Sequence, residues 1–161
     1  MKSIDLFEEI DRSKSYALNA ATEFGNLFQP DERFVLTSDA DEQMIVHLEF
    51  KQKVTLTGVN FFAANAAGDE SPTDVSLFAN CLNPGFDSLE DAKATEDMCL
   101  READLAKESV TNLRMVKFQK IDSLTVFLRD NNGADVTSIN SLSVYGFTVA
   151  DTRGKELKKV G

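Results

Sequence analysis

Apolar and polar residues alternate along much of the chain, which is the pattern of β-strands that turn one face toward a protein core. The clearest run is residues 44–50, in which every second residue from Met44 onward is apolar. His47 lies among the intervening residues, so the alternation predicts a strand with His47 on its outward face. The same criterion predicts further strands over the following ranges: 74–79, 98–101, 114–119, 123–129 and 141–149.

The predicted strand 114–119 assigns its side chains to two faces. Val116 and Phe118 are expected in the core, and Lys117 and Gln119 are expected in solvent. The remaining core is predicted from the other two long runs, and its members are Met44, Val46, Leu48, Phe50, Leu124, Val126 and Leu128.

A change of phase interrupts the alternation after residue 56. Val54 and Leu56 continue the pattern of the first strand, but Val59 and Phe61 are out of phase with it. Gly58 lies at the change, and a residue without a Cβ atom is well suited to a β-bulge. The sequence therefore predicts a bulge at Gly58 in a longer strand.

Turn and helix patterns are short. Residues 130–133, with the sequence DNNG, favour a turn between two strands because Asn and Gly tolerate positive φ. Ser3 is predicted to cap a short helix that presents Ile4, Phe7 and Ile10 on one face. Residues 86–95 are predicted to form either a second short helix with Asp87 as its N-cap or a structured loop. Seven or eight short strands separated by turns indicate an all-β fold, an antiparallel sandwich with short helical segments.

Composition and charge narrow the class of protein. The chain has 161 residues, which suits a single domain over residues 1–161 that needs no disulfide or metal for stability. Its net charge of −10 argues against binding to nucleic acid or to a membrane surface, because both require a basic face. Residues 151–161 differ from the rest and form a short basic tail. We expect a protein of the cytoplasm or the nucleus.

Residues with catalytic or metal-binding chemistry are sparse. His47 is the only histidine, and it is interpreted as a surface or second-layer packing residue. Cys81 and Cys99 have neither redox nor zinc-ligand spacing, so they are predicted to be unlinked thiols. Zinc and phosphate-loop motifs are absent from the sequence, and the many carboxylates make accidental acidic pairs uninformative. The sequence thus predicts no enzyme and no cofactor.

The densest group of charges, Asp39, Asp41 and Glu42, allows three interpretations. Carboxylates in a sandwich loop can bind calcium, but the spacing lacks the central glycine and the distant glutamate of an EF-hand. A structural interpretation needs only that Ser38 or Asp39 forms an Asx-type turn before the strand. The third interpretation is a polar edge that binds a partner. We expect an acidic lip that is not a metal site.

A set of motifs in a fixed order resembles one known family, the PITH domain. The segments that carry the resemblance are SDADEQM at 38–44 with VTL at 54–56, PTDVSLFAN at 72–80, LRMVKFQ at 113–119, SLTVFL at 123–128 with DN at 130–131, and YGF at 145–147 with LKKVG at 157–161. The run 113–128 is the most specific of these. The resemblance covers nearly the whole chain.

Several expectations follow from this resemblance alone. It implies a jelly-roll sandwich of the galactose-binding-domain type, and a non-enzymatic module that docks on the regulatory particle of the proteasome. A thioredoxin-like protein is a second implied partner, because this chain contains no Cys-Gly-Pro-Cys motif of its own. The residues we assign to partner binding are Asp39, Asp41, Glu42, Lys117 and Gln119. The alternative function is a module that binds a small ligand or carbohydrate, although the chain has no tryptophan for a sugar platform.

Overall fold

Antiparallel strands dominate the structure, a computed structural model that describes residues 3–29 and 31–149. Ten strands occur in this part of the chain: β1 (Ile4–Asp5), β2 (Tyr16–Leu18), β3 (Leu36–Thr37), β4 (Met44–Phe62), β5 (Pro72–Ala79), β6 (Glu96–Cys99), β7 (Thr111–Asn112), β8 (Ile121–Asn131), β9 (Ser138–Ile139) and β10 (Ser141–Thr148). The helical elements are α1 (Phe86–Glu90) and 3-10 turns at Phe7–Glu9, Arg12–Lys14, Phe24–Phe28, Glu102–Leu105 and Met115–Phe118. The predicted basic tail lies outside the described residues.

Strand β4 belongs to both sheets of the sandwich. Its first half pairs with β2 along one edge and with β8 along the other, from Met44↔Leu128 to Glu49↔Ser123. Its second half pairs with β10 and β7. Eight strands are thus joined through β4 into two layers, one with the order β2-β4-β8-β5-β6 and the other with the order β1-β10-β4-β7, and β3 and β9 form a separate two-stranded sheet. The predicted all-β antiparallel architecture is confirmed.

Two irregularities let β4 change partners. Between Glu49↔Ser123 and Val54↔Ile121, residues 50–53 bulge out of the pairing with β8. At the second irregularity, Gly58 pairs with Tyr145 but Leu56 pairs with Gly146, so Thr57 is the extra residue of a bulge. A Cβ atom on Gly58 would lie 2.6 Å from Val110 Cγ1, so the absence of a side chain at residue 58 also leaves room for the Val110 side chain. The predicted bulge at Gly58 is confirmed.

The main core lies between the inward faces of the two sheets. It includes the predicted residues Met44, Val46, Leu48, Phe50, Phe118, Leu124, Val126 and Leu128, together with Val54, Leu56, Val59 and Phe61 from the second half of β4. The prediction that the first half of β4 is only half-buried is wrong, because Ile45 and His47 on its other face are buried too. A second apolar cluster of Ile45, Phe78, Leu89 and Phe127 forms there under α1. The alternation of apolar and polar residues in the sequence does not reveal that this second cluster covers the outer face of β4.

The predicted strand 114–119 is a 3-10 turn at Met115–Phe118, in which Lys117 N donates to Arg114 O (2.9 Å). Phe118 is fully buried as predicted, but Val116 is 75% exposed, so its assignment to the core is wrong. The physical reason is the period: a 3-10 turn has three residues per turn, so residues two apart do not share a face. Lys117 and Gln119 are exposed in either conformation.

Three smaller predictions also need correction. Residues 4–5 form β1, and the N-terminal turn is shortened to Phe7–Glu9, where Asp5 Oδ1 rather than Ser3 accepts the Phe7 N–H (2.9 Å). The second helix ends at Glu90, and its N-cap residue is Gly85 rather than Asp87. Strand β6 begins and ends two residues before the predicted range.

The turn at residues 130–133 is confirmed, because Gly133 has φ +113° and its N–H donates to Asn131 Oδ1 (2.9 Å). Cys81 and Cys99 are both free thiols. Within residues 3–29 and 31–149, none of the helices has the length and apolar composition needed to cross a bilayer.

Candidate functional site

Residues 38–43, which we call the acidic lip, form a tight loop immediately before β4. Asp41 Oδ1 accepts the N–H of Gln43 (3.0 Å) and the side-chain amide of Asn19 (2.9 Å). The first of these contacts is an Asx turn, so the predicted turn exists but is made by Asp41 rather than by Ser38 or Asp39. One carboxylate of the predicted cluster therefore has a structural role.

Asn19 holds the lip from the end of β2. Its φ of 62° is a left-handed conformation that asparagine tolerates better than most residues. Its Nδ2 atom donates to Gln43 O (2.6 Å), and its Oδ1 atom accepts the Ala40 N–H (3.0 Å). Its main-chain carbonyl accepts the Asp39 N–H (2.9 Å). One residue thus contacts the backbone of the lip at three positions.

The inner side of the lip is fixed by two buried hydroxyl groups. Ser38 Oγ donates to Asp41 O (2.6 Å) and accepts the Thr137 N–H (2.8 Å). Thr137 Oγ1 donates to Glu42 O (2.6 Å). Ser38 is 1% exposed and Thr137 is fully buried. Because buried polar groups are costly when unpaired, these contacts fix one backbone shape for the lip.

The outer side of the lip presents its charges to solvent. Asp39 and Asp41 are exposed, and Glu42 is half-buried. Across residues 3–29 and 31–149 there is no group of three or more His, Cys, Asp and Glu side chains arranged to hold a metal ion. What the lip offers is a fixed display of negative charge, which suits a partner with cationic or hydrogen-bond donor groups.

Lys117 and Gln119 lie elsewhere on the molecule. Their segment is attached to the second half of β4, where Leu113 N donates to Thr57 O (2.9 Å) and Lys120 N donates to Thr55 Oγ1 (3.1 Å). The lip precedes the first half of the same strand. The structure therefore places the predicted partner-binding residues on two separate surfaces.

A buried polar network on the outer face of β4 was not predicted. His47 Nδ1 lies 2.8 Å from Thr125 Oγ1, and His47 Nε2 lies 2.9 Å from Glu49 Oε2. The Tyr16 ring packs on the imidazole at 5.1 Å between centroids, and burial raises the pKa of the Tyr16 hydroxyl. His47 is thus the second-layer packing residue that the sequence indicated. Tyr16 of β2 covers the His47 ring, and the pairing of β2 with β4 produces no pattern in the local sequence.

A groove beside β10 is the feature most relevant to a small ligand. Its lining includes the aromatic residues Phe7, Phe28 and Tyr145 together with Asn60. The guanidinium of Arg12 already covers the Phe7 and Phe28 rings, at 4.8 and 4.5 Å from their centroids. Asn60 Nδ2 is used by the carbonyls of residues 106 and 109. Two aromatic rings of the groove and its Asn60 amide are therefore already engaged within the protein.

Comparison with known proteins identifies the family. A family model described as the PITH domain matches residues 1–160. The chain belongs to the PITH domain family. It is 28% identical over 158 residues to PITH domain-containing protein CG6153 of Drosophila melanogaster, covering 92% of this chain and 72% of the relative. It is 26% identical over 148 residues to PITH domain-containing protein 1 of Mus musculus, covering 88% and 68%.

One relative is about twice as long as the segment that matches this chain. The chain is 29% identical over 140 residues to thioredoxin-like protein 1 of Schizosaccharomyces pombe, covering 83% of this chain and 47% of the relative. The chain thus spans about half the length of that protein, whereas it spans about two thirds or more of the fly and mouse proteins.

Solved structures establish the type of sandwich. A CBM32 module from a family 31 glycoside hydrolase of Clostridium perfringens superposes with a TM-score of 0.57 at 18% identity, covering 86% of this chain and 96% of that one. The family 32 module of NanJ from the same organism, solved with galactose, gives 0.55 at 11% identity, covering 89% and 99%. At these identities the likeness shows the fold alone. It confirms the predicted galactose-binding-like sandwich for this PITH domain.

Proposed function

We propose that this PITH domain is a non-catalytic module that docks on the regulatory particle of the proteasome, with the acidic lip as one contact surface. Family membership and a fold typical of binding modules support an interaction role without catalysis. The observation that carries the proposal is the fixed shape of the lip, which Asn19, Ser38 and Thr137 hold while two carboxylates face solvent.

A loop held in one conformation favours binding for a physical reason. Ordering a flexible loop at an interface consumes part of the binding free energy, and a loop that is already ordered avoids that loss. Charges at the rim of an interface act chiefly on the rate of encounter, and salt screens them. The lip should therefore affect association rate at low salt more than it affects affinity at high salt.

The test uses the full chain immobilised on a sensor surface and purified regulatory particle in solution. The variant Asp39→Asn, Asp41→Asn, Glu42→Gln removes three charges but keeps the Oδ1 acceptor of residue 41. We expect association about 3- to 10-fold slower at low salt, and a small difference at high salt. The matched control, Glu8→Gln, Glu102→Gln, Glu108→Gln, removes three exposed charges on segments that do not contact the lip and should bind as the wild type does.

Two results would separate the parts of the proposal. If wild-type protein fails to bind intact regulatory particle at either salt concentration, the docking function is wrong. If wild-type protein binds and the lip variant matches it at every salt concentration, docking stands but the lip is not the contact surface.

Carbohydrate binding is the second candidate, because a solved neighbour with the same fold was determined with galactose. The covered aromatic rings and the occupied Asn60 amide in the groove argue against it in this chain. Titration with galactose, followed by NMR chemical shifts, should give no saturable binding below about 1 mM. Saturable shifts confined to residues around Tyr145 would favour this function instead.

A further inference from the structure

Two short segments concentrate positive charge on an otherwise acidic protein. Residues 50–53 (FKQK) and 114–120 (RMVKFQK) contain five cationic side chains and no carboxylate, whereas the whole chain has a net charge of −10. The five cations are Lys51, Lys53, Arg114, Lys117 and Lys120, and all are exposed.

The fold brings these two segments together at one corner of the sandwich. Val54 pairs with Ile121 directly after the bulge at residues 50–53. Lys120 N donates to Thr55 Oγ1 (3.1 Å), and Lys53 Nζ lies 3.0 Å from Asp122 Oδ2. That contact is solvent-exposed on both sides, and in the described part of the chain none of the other four cations has an ion-pair partner. Two carboxylates adjoin the corner, Asp122 and Glu9, which accepts a hydrogen bond from Gln52 Nε2 (3.0 Å), and four of the five cations remain unpaired within the described residues for contact with another molecule.

An apolar side chain lies between these cations. Val116 is 75% exposed, and its neighbour Met115 is 43% exposed. The turn that carries them is anchored by Phe118, which is completely buried in the main core. The exposure of Val116 is thus fixed by the backbone of the turn. We call the group of Lys51, Lys53, Arg114, Val116, Lys117 and Lys120 the corner patch.

We propose that the corner patch binds an acidic peptide segment that carries at least one large apolar side chain. The five cations complement carboxylates, and Val116 gives the segment an apolar contact that charge alone does not supply. The inference rests on the proposed role of the domain as a protein-binding module and names the chemistry of a segment it recognises.

A peptide fits the corner patch better than a nucleic acid does. A nucleic acid carries phosphates far beyond the corner patch, where the overall charge of −10 repels them, whereas a short peptide segment can place its few carboxylates on the patch alone. Proteins that bind single strands usually stack bases on exposed aromatic rings, and both aromatic residues of these two segments, Phe50 and Phe118, are buried in the core. The exposed apolar side chains here are aliphatic.

The test selects a ligand from a display library of random 12-residue peptides, with the full chain as bait. Counter-selection uses the variant Arg114→Glu, Lys117→Glu, Lys120→Glu. We expect the enriched peptides to combine several Asp or Glu residues with a large apolar residue. The best peptide is then synthesised with a fluorescent label, and its affinity is measured by anisotropy at several salt concentrations.

Two further variants make the result specific. The control Lys14→Glu, Lys93→Glu, Lys107→Glu makes the same change in net charge on other exposed cations and should retain peptide binding. The corner triple variant should bind about 30-fold or more weakly at low salt, with a shallower salt dependence. Val116→Ser should weaken binding about 10-fold at every salt concentration, because it removes an apolar contact that salt does not screen. Circular dichroism and thermal melting confirm that each variant is folded.

Three outcomes would overturn the proposal. The first is a selection that yields no peptide whose binding depends on the corner patch. The second is a set of enriched peptides without acidic residues. The third is a 12-nucleotide single-stranded DNA that binds as tightly as the best peptide and is insensitive to Val116→Ser, since the patch would then be a general polyanion site. None of these depends on the proteasome assay, so docking could stand while this proposal fails, and the reverse.

Discussion

The acidic lip precedes β4, whereas the corner patch combines the bulge at residues 50–53 of β4 with the turn at residues 114–120, and the two regions are fixed in different ways. The lip is held by hydrogen bonds through Asn19, Ser38 and Thr137. The turn of the corner patch is anchored by the apolar side chain of Phe118. Changing a charged residue in the lip can therefore alter its shape, as at Asp41. Lys53 of the corner patch has an ion pair with Asp122, whereas the other four cations can be replaced without loss of an ion pair among the described residues.

The largest expected effect tests the anchor of the corner patch. Phe118→Ala should lower the free energy of unfolding by about 3–5 kcal/mol, because it empties a fully buried site in the main core. Val116→Ala, two residues away, should change it by about 0.5 kcal/mol or less. Chemical denaturation of both variants measures the difference. A similar loss for both would mean that Val116 is in the core and that residues 114–119 form a strand.

The next effect tests the anchor of the lip. Ser38→Ala should cost about 1–3 kcal/mol, because the buried Thr137 N–H and Asp41 carbonyl each lose a partner. The control Asp39→Ala removes an exposed side chain from the same loop and should be nearly neutral. Urea unfolding of the two variants gives the comparison. A neutral Ser38→Ala would show that hydrogen bonds do not fix the lip.

A third prediction uses a shared feature, since a residue with positive φ supports the lip from outside and another lies in the corner patch. Asn19 has φ 62° and Lys120 has φ 50°. Glycine relieves the backbone in both cases, but Asn19→Gly also loses three side-chain hydrogen bonds and should cost about 1–2 kcal/mol. Lys120→Gly should be neutral within about 0.5 kcal/mol, because only its backbone N–H is bonded. Melting temperatures that fall equally in both variants would contradict this distinction.

The smallest effect separates the charge of the lip from its geometry. Asp41→Ala should cost about 1 kcal/mol through loss of the Asx turn, whereas Asp41→Asn retains the acceptor and should cost only a few tenths. Unfolding at neutral pH distinguishes them if both are measured with the wild type in the same series. An equal loss in both would assign the stability to the negative charge instead.

The sequence predicts the long strands well because burial on one face produces a period of two. Met44–Phe50, residues 123–129 and residues 141–149 follow that period, and the phase change at Gly58 locates the bulge correctly. The same rule fails at residues 114–119, where Val116 and Phe118 match the period by chance in a 3-10 turn. The lip precedes the first half of β4 and the segment of Lys117 is attached to its second half, so the two cannot form one surface. This conclusion requires the pairing between distant segments, which the sequence does not show.

The candidate site was only partly predictable for a similar reason. Asp39, Asp41 and Glu42 are visible in the sequence as a dense acidic run. Their supports at Asn19 and Thr137 are distant in the chain, and a single sequence holds no signal that connects them. The corner patch is likewise divided between residues 50–53 and 114–120, so its charge density emerges only after folding.

The sharing of β4 between both sheets has a consequence for cooperativity. The two halves of β4 pair in different sheets and are joined by only the four residues 50–53, so a large displacement of one half pulls on the other. Local opening of one half of the sandwich should therefore propagate to the other half. In native-state hydrogen exchange, paired amides at residues 44–49 and 54–62 should share one protection free energy close to that of global unfolding, and a chain cleaved at residues 51–53 should lose protection in both sheets.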